Sequence, residues 1–524
     1  MIFTSPHADV TIPEISLTDL VLQKSSALGD KPALIDGVSG RAITYSQLPD
    51  MIRRLACGLS RYGLAKGDVA AIYCPNLPEY ALFFHAVASL GGITTMVPPL
   101  FTDEEILAQL RDSGAKYLLT IPQLMDKALA VGRAVSFREI FVVGEADGAV
   151  SFSSLLNNDG NAPSVEINPR EDLVALPYSS GTTGFPKGVM LTHFSLVAML
   201  CQMQRAEALL EQDTIVCVVP MYHLYGIHIV INLGLSQGLT IVTLPRYDLE
   251  QFLQAMERFK VTVAPLVPPL VLVLSRTPAV DQHDLSQLRL IHCGAAPLAD
   301  SIARACAERL NCRIRFGYGL TEASPLSHVS PLEAEKDKPG SVGYCLPNTQ
   351  CKIVDVENGA ELDPNERGEI WIRGPQVMKG YLGNGKATNE MLNSAGWLRT
   401  GDIGYADSEG CLFVVDRLKE LIKYKGRQVA PAELEALLHL HPAIADACVI
   451  PSPDEEAGEV PKAFVVLKSA ATAEEIISFV APRVAPHKRI RRVEFIDEIP
   501  KSPAGKILRR VLIEHERRAK NPAP

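Results

Sequence analysis

The sequence predicts an α/β protein with a large N-terminal domain of layered sheets and flanking helices, followed by a small α+β domain. Three observations lead to this prediction. Strand and helix patterns alternate with short links from about residue 30 to residue 150, which is typical of parallel strands covered by helices. The length of 524 residues corresponds to about three units of ~150 residues. A basic run at 416–426 precedes a shorter stretch of helix and strand patterns.

Periodicity and capping residues predict the individual elements. Apolar residues at helical spacing from Leu48 onward predict a helix that is capped by Thr44 and ended by Gly63. Thr102, with a glutamate three residues later, predicts a capping box at the start of another helix. Pro431 opens a predicted helix through Leu438 in the small domain. Short apolar runs predict buried strands at 69–74, 93–97, 116–121, 173–176, 240–244, 288–293, 444–449 and 463–467.

Composition restricts the class of protein. The net charge is −9, with 47% hydrophobic and 21% charged residues, which is ordinary for a globular enzyme and argues against nucleic acid as a partner. The 11 cysteines are scattered without a C-x-x-C pair, so we expect reduced thiols and a cytoplasmic protein. The first residues lack the features of a signal peptide, and no apolar run reaches the ~18 residues of a membrane span. The oligomeric state stays open between monomer and dimer.

A glycine- and hydroxyl-rich loop is the strongest motif. Residues 179–188 have the sequence Ser-Ser-Gly-Thr-Thr-Gly-Phe-Pro-Lys-Gly and follow a predicted buried strand. Glycines let backbone N–H groups approach an anion, hydroxyls add donors, and a lysine adds positive charge. The spacing differs from the P-loop, which requires Gly-Lys-Ser/Thr after four residues. We therefore predict a phosphate-binding loop of another kind, formed by Ser179, Ser180, Gly181, Thr182, Thr183 and Lys187.

Two further motifs suit the rest of a nucleotide. Gly317 lets a flat ring lie against the backbone, and Tyr318 offers a stacking face. Thr321 can contact the α-phosphate, and Glu322 supplies a hard oxygen for Mg²⁺. Asp402, in Thr-Gly-Asp, is a carboxylate suited to accept both ribose hydroxyls. Taken alone, each of these strings could be an ordinary turn.

The segment 234–238 matches G-x-S-x-G, the nucleophile elbow of hydrolases. That motif requires a strand before it and a helix after it. Here a long apolar segment precedes it and a β-branched strand pattern follows it, so the context is reversed. We do not expect a serine hydrolase.

These motifs, in this order, resemble those of the adenylate-forming superfamily, and within it most of all the 4-coumarate–CoA ligases. The resemblance spans nearly the whole chain. It implies an N-terminal AMP-binding and acyl-binding domain of layered mixed sheets at 1–416, and a mobile C-terminal catalytic lid at 417–524 with Asp416 as the hinge. ATP and coenzyme A would be co-substrates and Mg²⁺ the cofactor.

The same resemblance assigns roles to single residues. It implies catalytic roles for Lys506, Glu322, Thr183 and His223, with Lys506 as the adenylation lysine. Besides the residues above, it places Ala295, Phe316 and Arg417 at ATP or AMP. It places the acyl group among His223, Tyr225, Ile229, Ala295, Gly317, Lys419, Lys423 and Gln428. It places coenzyme A near Arg246, Lys425 and Gly426.

The chain departs from the family's pattern at two positions. Ile229 stands where some plant relatives carry a serine, which makes the acyl pocket more apolar. Phe316 stands where many coumarate ligases carry glutamine. Tyr225 argues for a 4-hydroxylated cinnamate, because an unpaired buried hydroxyl donor would cost ~1–3 kcal/mol.

The resemblance implies that a carboxylic acid first reacts with ATP to give acyl-AMP and pyrophosphate, after which the thiol of coenzyme A displaces AMP. Three alternatives remain open at this stage. A fatty-acyl–CoA ligase would use the same residues with a different pocket. An adenylating enzyme that loads a carrier protein would form acyl-AMP but ignore free coenzyme A. A non-catalytic nucleotide-binding protein would release no pyrophosphate.

Overall fold

A computed structural model describes residues 1–179, 186–207, 209–425, 427–454, 456–501 and 507–520, with the side chains of residues 334, 427, 428, 519 and 520 excepted. The described residues form two nine-stranded sheets and two five-stranded sheets. The α/β prediction is confirmed. The 11 cysteines form no disulfides.

The first large sheet carries the strands around the predicted phosphate loop. Its central strands are parallel, as expected for strands joined through helices. Strand Lys187–Thr192 runs antiparallel to its neighbours and also pairs with the distant strand Gly380–Tyr381. In spatial order the sheet is Tyr178–Ser179, Lys187–Thr192, Leu173–Ala175, Ile93–Met96, Val69–Ile72, Ala115–Thr120, Glu139–Val142 and Val150–Ser151.

The second large sheet is parallel over its six central strands and antiparallel at both edges. The C-terminal end of its strand Arg313–Tyr318 includes the first two residues of the glycine motif at 317–319. In spatial order it consists of Tyr344–Cys345, His328–Val329, Arg313–Tyr318, Leu290–Cys293, Val263–Leu266, Thr214–Cys217, Thr240–Thr243, Pro32–Asp36 and Ala42–Thr44.

The two smaller sheets follow. The antiparallel sheet consists of Ile2–Thr4, Gln350–Val354, Gly368–Arg373, Leu398–Ala406 and Leu412–Arg417. The C-terminal sheet consists of Arg427–Val429, Ile422–Tyr424, Gly458–Leu467 and Ile444–Asp454, with Arg492–Phe495 added in parallel to Gly458–Leu467.

Helices cover these sheets. The α-helices are Leu17–Leu22, Ser25–Leu28, Leu48–Arg61, Pro78–Ser89, Asp103–Ser113, Met125–Val135, Phe152–Leu155, His193–Ala206, Leu233–Gln237, Leu249–Arg258, Pro268–Arg276, Asp300–Leu310, Gly385–Met391, Pro431–Leu438, Ala473–Val480 and Arg509–Lys520. A π-helix spans Tyr225–Asn232. Single 3₁₀ turns lie at Pro122–Leu124, Pro278–Gln282, Thr321–Ala323, Ala334–Lys336, Ala481–Arg483 and Pro486–Lys488.

Local signals explain where several helices begin and end. The capping box at Thr102 forms in both directions, and Gly114 ends that helix with a φ of 64°. The predicted cap at Thr44 is wrong, because this residue ends a strand that pairs with Pro32–Asp36. The helix begins four residues later, at Leu48, and the Gln47 side chain accepts the Thr44 N–H at 3.0 Å.

The apolar core of the N-terminal part runs between the large sheets and the helices on them. The C-terminal sheet has a separate core, formed with helices Pro431–Leu438 and Ala473–Val480. No helix within the described ranges combines the length and apolar character needed to cross a membrane.

Candidate active site

Glu322 is held in place by two hydroxyl groups from distant parts of the chain. Its Oε1 accepts hydrogen bonds from the Ser179 hydroxyl and the Tyr381 hydroxyl, both at 2.8 Å. The Lys187 ammonium lies 5.0 Å from the centre of the Tyr381 ring, within cation–π distance. Glu322 is buried, and a buried carboxylate without hydrogen bonds would be costly. The two hydroxyl donors offset that cost and also fix the orientation of the carboxylate.

Backbone pairing explains this convergence. Strand Gly380–Tyr381 pairs with Lys187–Thr192, which brings Tyr381 to the base of the predicted phosphate loop. The 3₁₀ turn Thr321–Ala323 holds Glu322 at the end of strand Arg313–Tyr318. Gly319 lies between them, and a Cβ there would collide with the Pro325 carbonyl.

A second hydrogen-bonded pair joins half-buried Tyr318 to buried Asp402. The Tyr318 hydroxyl donates to Asp402 Oδ2 at 2.7 Å. Arg417 Nε lies 3.5 Å from Asp402 Oδ1, since the two residues are cross-strand partners in the antiparallel sheet. The structure therefore brings together Tyr318, which was expected at the adenine, with Asp402 and Arg417, which were expected at the ribose.

Burial and neighbouring carboxylates control the protonation of both tyrosines. Burial, then the charge of Asp402, raises the pKa of Tyr318 well above its ordinary value. Burial, then the charge of Glu322, raises the pKa of Tyr381 in the same way. Both hydroxyls therefore remain hydrogen-bond donors at any physiological pH.

The predicted acyl-binding residues come from three segments that approach one another closely. The ideal Cβ position of Gly294 lies 3.8 Å from both Tyr225 Cε1 and the Gly317 carbonyl oxygen. Ala295 has a φ of 71°, a left-handed conformation that costs a non-glycine residue about 1 kcal/mol. His223 precedes the π-helix, with its ring centre 4.7 Å from that of Tyr222.

The Tyr225 hydroxyl already has acceptors within the protein. It donates to the His292 carbonyl at 2.9 Å and lies 3.3 Å from the Leu266 carbonyl. The expectation that the Tyr225 hydroxyl needs a substrate as its hydrogen-bond acceptor is therefore wrong. The oxygen of this hydroxyl can still accept a hydrogen bond. Ile229, on the same π-helix, is buried and apolar.

The G-x-S-x-G segment has the reversed context that the sequence indicates. Helix Leu233–Gln237 carries it, the π-helix precedes it and strand Thr240–Thr243 follows it. The Ser236 hydroxyl is buried and donates to the Leu233 carbonyl at 2.8 Å. This serine completes a helix turn and is not an exposed nucleophile.

Asp416 contacts the first turn of a helix in the small domain. Its carboxylate accepts the Ala432 N–H at 2.9 Å and the Arg417 N–H at 2.7 Å. Burial raises the pKa of Asp416 despite these bonds and the charge of Arg509. The residue expected to be the hinge thus links the last strand of the antiparallel sheet to helix Pro431–Leu438.

The remaining basic residues lie at exposed positions. Arg246 follows strand Thr240–Thr243, and Lys419 and Lys423 lie on either side of the segment that enters the C-terminal sheet. Lys425 has a φ of 47° and pairs with Glu456 of its own domain. These four side chains are not packed into the cluster around Glu322.

Phe316 and Thr321 occupy half-buried positions at the two ends of the glycine motif. Ser180, Gly181, Thr182, Thr183, Gly426 and Lys506 lie outside the described residues, as does the Gln428 side chain. Their assigned roles stay predictions.

Sequence reasoning missed Tyr381. It is a single aromatic residue after Lys379-Gly380, without a motif around it. Only the pairing of its short strand with Lys187–Thr192 places it at Glu322. No local signal could have found it.

Fold and site together define a nucleotide-binding α/β protein, with its polar residues at the ends of sheet strands. Residues 22–382 match the model of the AMP-binding enzyme family, and residues 433–506 match that of the AMP-binding enzyme C-terminal domain. The chain belongs to this family, the adenylate-forming enzymes, with a large N-terminal and a small C-terminal domain.

Its relatives and structural neighbours cover nearly its full length. It is 43% identical to 4-coumarate–CoA ligase 1 of Petroselinum crispum, over 98% of this chain and 96% of that protein. It is 43% identical to 4-coumarate–CoA ligase 5 of Oryza sativa subsp. japonica, with the same coverage. ATP-bound MatB from Rhodopseudomonas palustris matches with a TM-score of 0.87 and 26% identity, over 96% of this chain and 99% of that one. The anthranilate CoA ligase AuaEII in complex with anthranoyl-AMP matches with a TM-score of 0.89 and 25% identity, over 98% and 99%.

Proposed function

We propose that the chain is an AMP-forming acid–thiol ligase that converts a hydroxycinnamate-type acid to its coenzyme A thioester through an acyl-adenylate. The observation that carries this proposal is the 43% identity to 4-coumarate–CoA ligases over 98% of the chain. The carboxylates of Glu322 and Asp402 support it, because both are buried and each is held by a tyrosine hydroxyl, as suits residues that would bind Mg²⁺ and the ribose.

In the first half-reaction, a carboxylate oxygen of the acid attacks the α-phosphorus of ATP, and the bond to pyrophosphate breaks. Asp402 and Arg417 hold the ribose, and Tyr318 lies against the adenine. The loop at 179–188 holds the phosphates, and Lys506 neutralises the charge that develops during attack. Catalysis is by alignment and charge stabilisation, without a protein nucleophile.

Glu322 is the residue that would hold Mg²⁺. Two hydroxyl donors on its Oε1 would hold this carboxylate in place for the ion. Mg²⁺ is usually held by one or two carboxylates together with substrate phosphates, and a single fixed glutamate fits that pattern. When bound, it would screen phosphate charge.

In the second half-reaction, the thiol sulfur of coenzyme A attacks the acyl carbon, and AMP leaves with the bonding electrons. We propose that residues 417–524 rotate about Asp416 between the two steps and exchange Lys506 for the region of Lys425 and Gly426. Such movement of a lid separates two reactions in one site. Arg246 would contact a phosphate of coenzyme A.

The Tyr225 hydroxyl supports a hydroxycinnamate with limited selectivity. Its proton is already donated to backbone carbonyls, so only its oxygen is available to a substrate phenol. A site rejects an analogue strongly when the missing group leaves a buried polar atom unpaired. Because cinnamate would leave no Tyr225 donor unpaired, we expect 4-coumarate to be favoured by only about 2–10-fold in kcat/KM.

The test supplies the protein with ATP, Mg²⁺, coenzyme A and 4-coumarate, cinnamate or octanoate, and measures pyrophosphate, acyl-AMP and thioester separately. We expect pyrophosphate and thioester with both aromatic acids. Preferred use of octanoate would indicate a fatty-acyl–CoA ligase. Acyl-AMP without thioester would indicate transfer to a carrier protein, and no pyrophosphate with any acid would overturn the proposal.

A further inference from the structure

Four buried side chains, two of them on the π-helix Tyr225–Asn232, form a continuous hydrogen-bonded chain. Thr18 Oγ1 lies 3.1 Å from His85 Nδ1, and His85 Nε2 lies 3.2 Å from Asn232 Oδ1. Asn232 Nδ2 lies 3.1 Å from His228 Nδ1, and His228 Nε2 lies 3.1 Å from the Leu196 carbonyl oxygen. All four side chains are at most 4% exposed.

The direction of every bond follows from the carbonyl at the end of the chain. A carbonyl oxygen can only accept, so His228 Nε2 carries the proton and His228 Nδ1 accepts from the Asn232 amide. The Asn232 oxygen then accepts from His85 Nε2, and His85 Nδ1 accepts from the Thr18 hydroxyl. Both imidazoles must be neutral for this arrangement. Burial agrees, since it lowers the pKa of His85 to about 4 and that of His228 to about 3.

Asn232 and His228 both lie on the π-helix Tyr225–Asn232, the element that also carries Tyr225 and Ile229. The Leu233 N–H donates to the His228 carbonyl, which is the i to i−5 spacing of a π-helix. Such turns are rare and are most often found at functional sites. If the π turn relaxed to an α-helix, one residue would leave the turn, and the preceding residues would rotate by about 100°. Tyr225 would then point away from Gly294.

We infer that Asn232 is a positioning residue that fixes the π-helix, and through it the wall of the acyl pocket that selects the acid. The inference rests on the proposed function, because it requires Tyr225 and Ile229 to line that pocket. The four linked side chains lie on three helices, Leu17–Leu22, Pro78–Ser89 and Tyr225–Asn232, and the Leu196 carbonyl connects them to a fourth, His193–Ala206. The π-helix is therefore anchored from two sides and cannot change register without breaking this chain.

The test compares two variants of one histidine. His228→Gln keeps the direction of the chain, because a glutamine side chain has one acceptor oxygen and one donor nitrogen. His228→Leu removes both functions. We expect His228→Gln to retain the ratio of kcat/KM between 4-coumarate and octanoate, and His228→Leu to change it by roughly tenfold or more. The KM for ATP should change less than about twofold in both, because the chain does not reach Asp402 or Glu322.

A matched control separates positioning from general destabilisation. Gln109 is equally buried, and its amide donates to Thr95 Oγ1 at 3.0 Å and the Met96 carbonyl at 2.9 Å, on a helix outside the predicted pocket. Gln109→Leu should lower Tm and leave the substrate ratio unchanged. If His228→Leu does not fold, Asn232→Ser serves in its place. The shorter serine side chain weakens the link between His85 and His228 but keeps a polar group there. It should change the ratio of kcat/KM between 4-coumarate and octanoate in the same direction.

The outcomes are distinct. A wild-type protein that makes no acyl-AMP contradicts the proposed function. An active wild type in which His228→Leu or Asn232→Ser leaves the substrate ratio unchanged, as we expect of Gln109→Leu, contradicts only the positioning role of Asn232.

Discussion

The two domains present their predicted functional residues in different ways. In the N-terminal domain, Glu322 and Asp402 are buried and already bonded to Tyr381 and Tyr318. In the C-terminal domain, the lysines at 419, 423 and 425 are exposed. The partner of Lys425, Glu456, has a side chain that is 83% exposed, and such a pair contributes little.

This contrast matches the proposed roles. One set of residues would hold the nucleotide throughout, and the other would be replaced at the site between the two half-reactions. Rigid donors and acceptors stabilise a nucleotide best when they need no rearrangement. Side chains that enter one site in succession must move between that site and solvent at a low cost in free energy. Exposed lysines meet this condition. We infer that the N-terminal domain provides a fixed nucleotide site and the C-terminal domain provides interchangeable groups.

Lys506→Ala tests the contrast most strongly. One charge pair at 4 Å contributes ~4 kcal/mol at an effective dielectric constant near 20. We therefore expect adenylation to fall by about three orders of magnitude. A supplied acyl-adenylate should still react with coenzyme A, because the proposal assigns that step to the region of Lys425 and Gly426. The measurement is ATP–pyrophosphate exchange beside thioester formation from acyl-AMP. An equal loss of both half-reactions would show that the lid does not exchange its groups.

Arg509→Met tests whether the C-terminal domain has its own rigid part. Arg509 pairs with Glu420 and, at 2.6 Å, with buried Glu435. Its removal leaves the buried Glu435 carboxylate without a counter-charge and should lower the unfolding free energy of this domain by about 3–5 kcal/mol. Arg510→Met, at the next residue, is the matched control. That side chain is 81% exposed, and within the described part of the chain it pairs with Glu514, so its loss should leave the unfolding midpoint nearly unchanged. Equal unfolding midpoints in urea would contradict the account.

Tyr381→Phe sharpens the description of the fixed site. The variant removes one of two hydroxyl donors to Glu322 but keeps the ring beside Lys187. A hydrogen bond to a charged group contributes ~1.5–3 kcal/mol, and Ser179 remains, so adenylation should fall about tenfold. Tyr45→Phe is the control, because that buried hydroxyl donates to the Leu239 carbonyl at 2.6 Å, away from the site. Its kcat should be unchanged, and an unchanged kcat in Tyr381→Phe would refute the role of Tyr381.

The last prediction concerns pH. Burial lowers the pKa of His85 and His193 to about 4 and that of His228 to about 3, from an ordinary 6.5. Between pH 6.5 and 4 the unfolded chain binds these protons and the folded chain does not, so stability falls as pH falls. Each histidine adds up to about 1.4 kcal/mol per pH unit to this slope. Urea unfolding at pH 7, 6 and 5 should show a shallower loss in His228→Gln than in the wild type. Parallel curves would mean that His228 is charged in the folded protein.

Local patterns predicted much of the fold. The strands at 69–72 and 93–96 were expected within one or two residues, and helix Pro431–Leu438 was expected with its bounds. Short apolar runs between turn residues have few other conformations that bury them. Thr44 was misassigned, because its pairing with a strand of the second large sheet outweighs its tendency to cap a helix.

Site residues were predictable from the sequence only where they lie within a recognisable motif. Glu322 and Asp402 follow glycines in recognisable strings, whereas Tyr381 reaches Glu322 through a pairing with Val189, which is distant in the chain. The π-helix was also missed, because an apolar segment has the same composition whether its backbone bonds span four residues or five. The acceptors of the Tyr225 hydroxyl are backbone carbonyls, which no sequence pattern displays.

The most direct test follows the α-phosphate. The protein is mixed with Mg²⁺, ATP labelled at the α-phosphate and 4-coumarate, first without coenzyme A. We predict a labelled compound in which AMP is joined to the acid, and its conversion to free AMP and thioester when coenzyme A is added. Labelled ADP, or label that remains in ATP with every acid tried, would contradict the account.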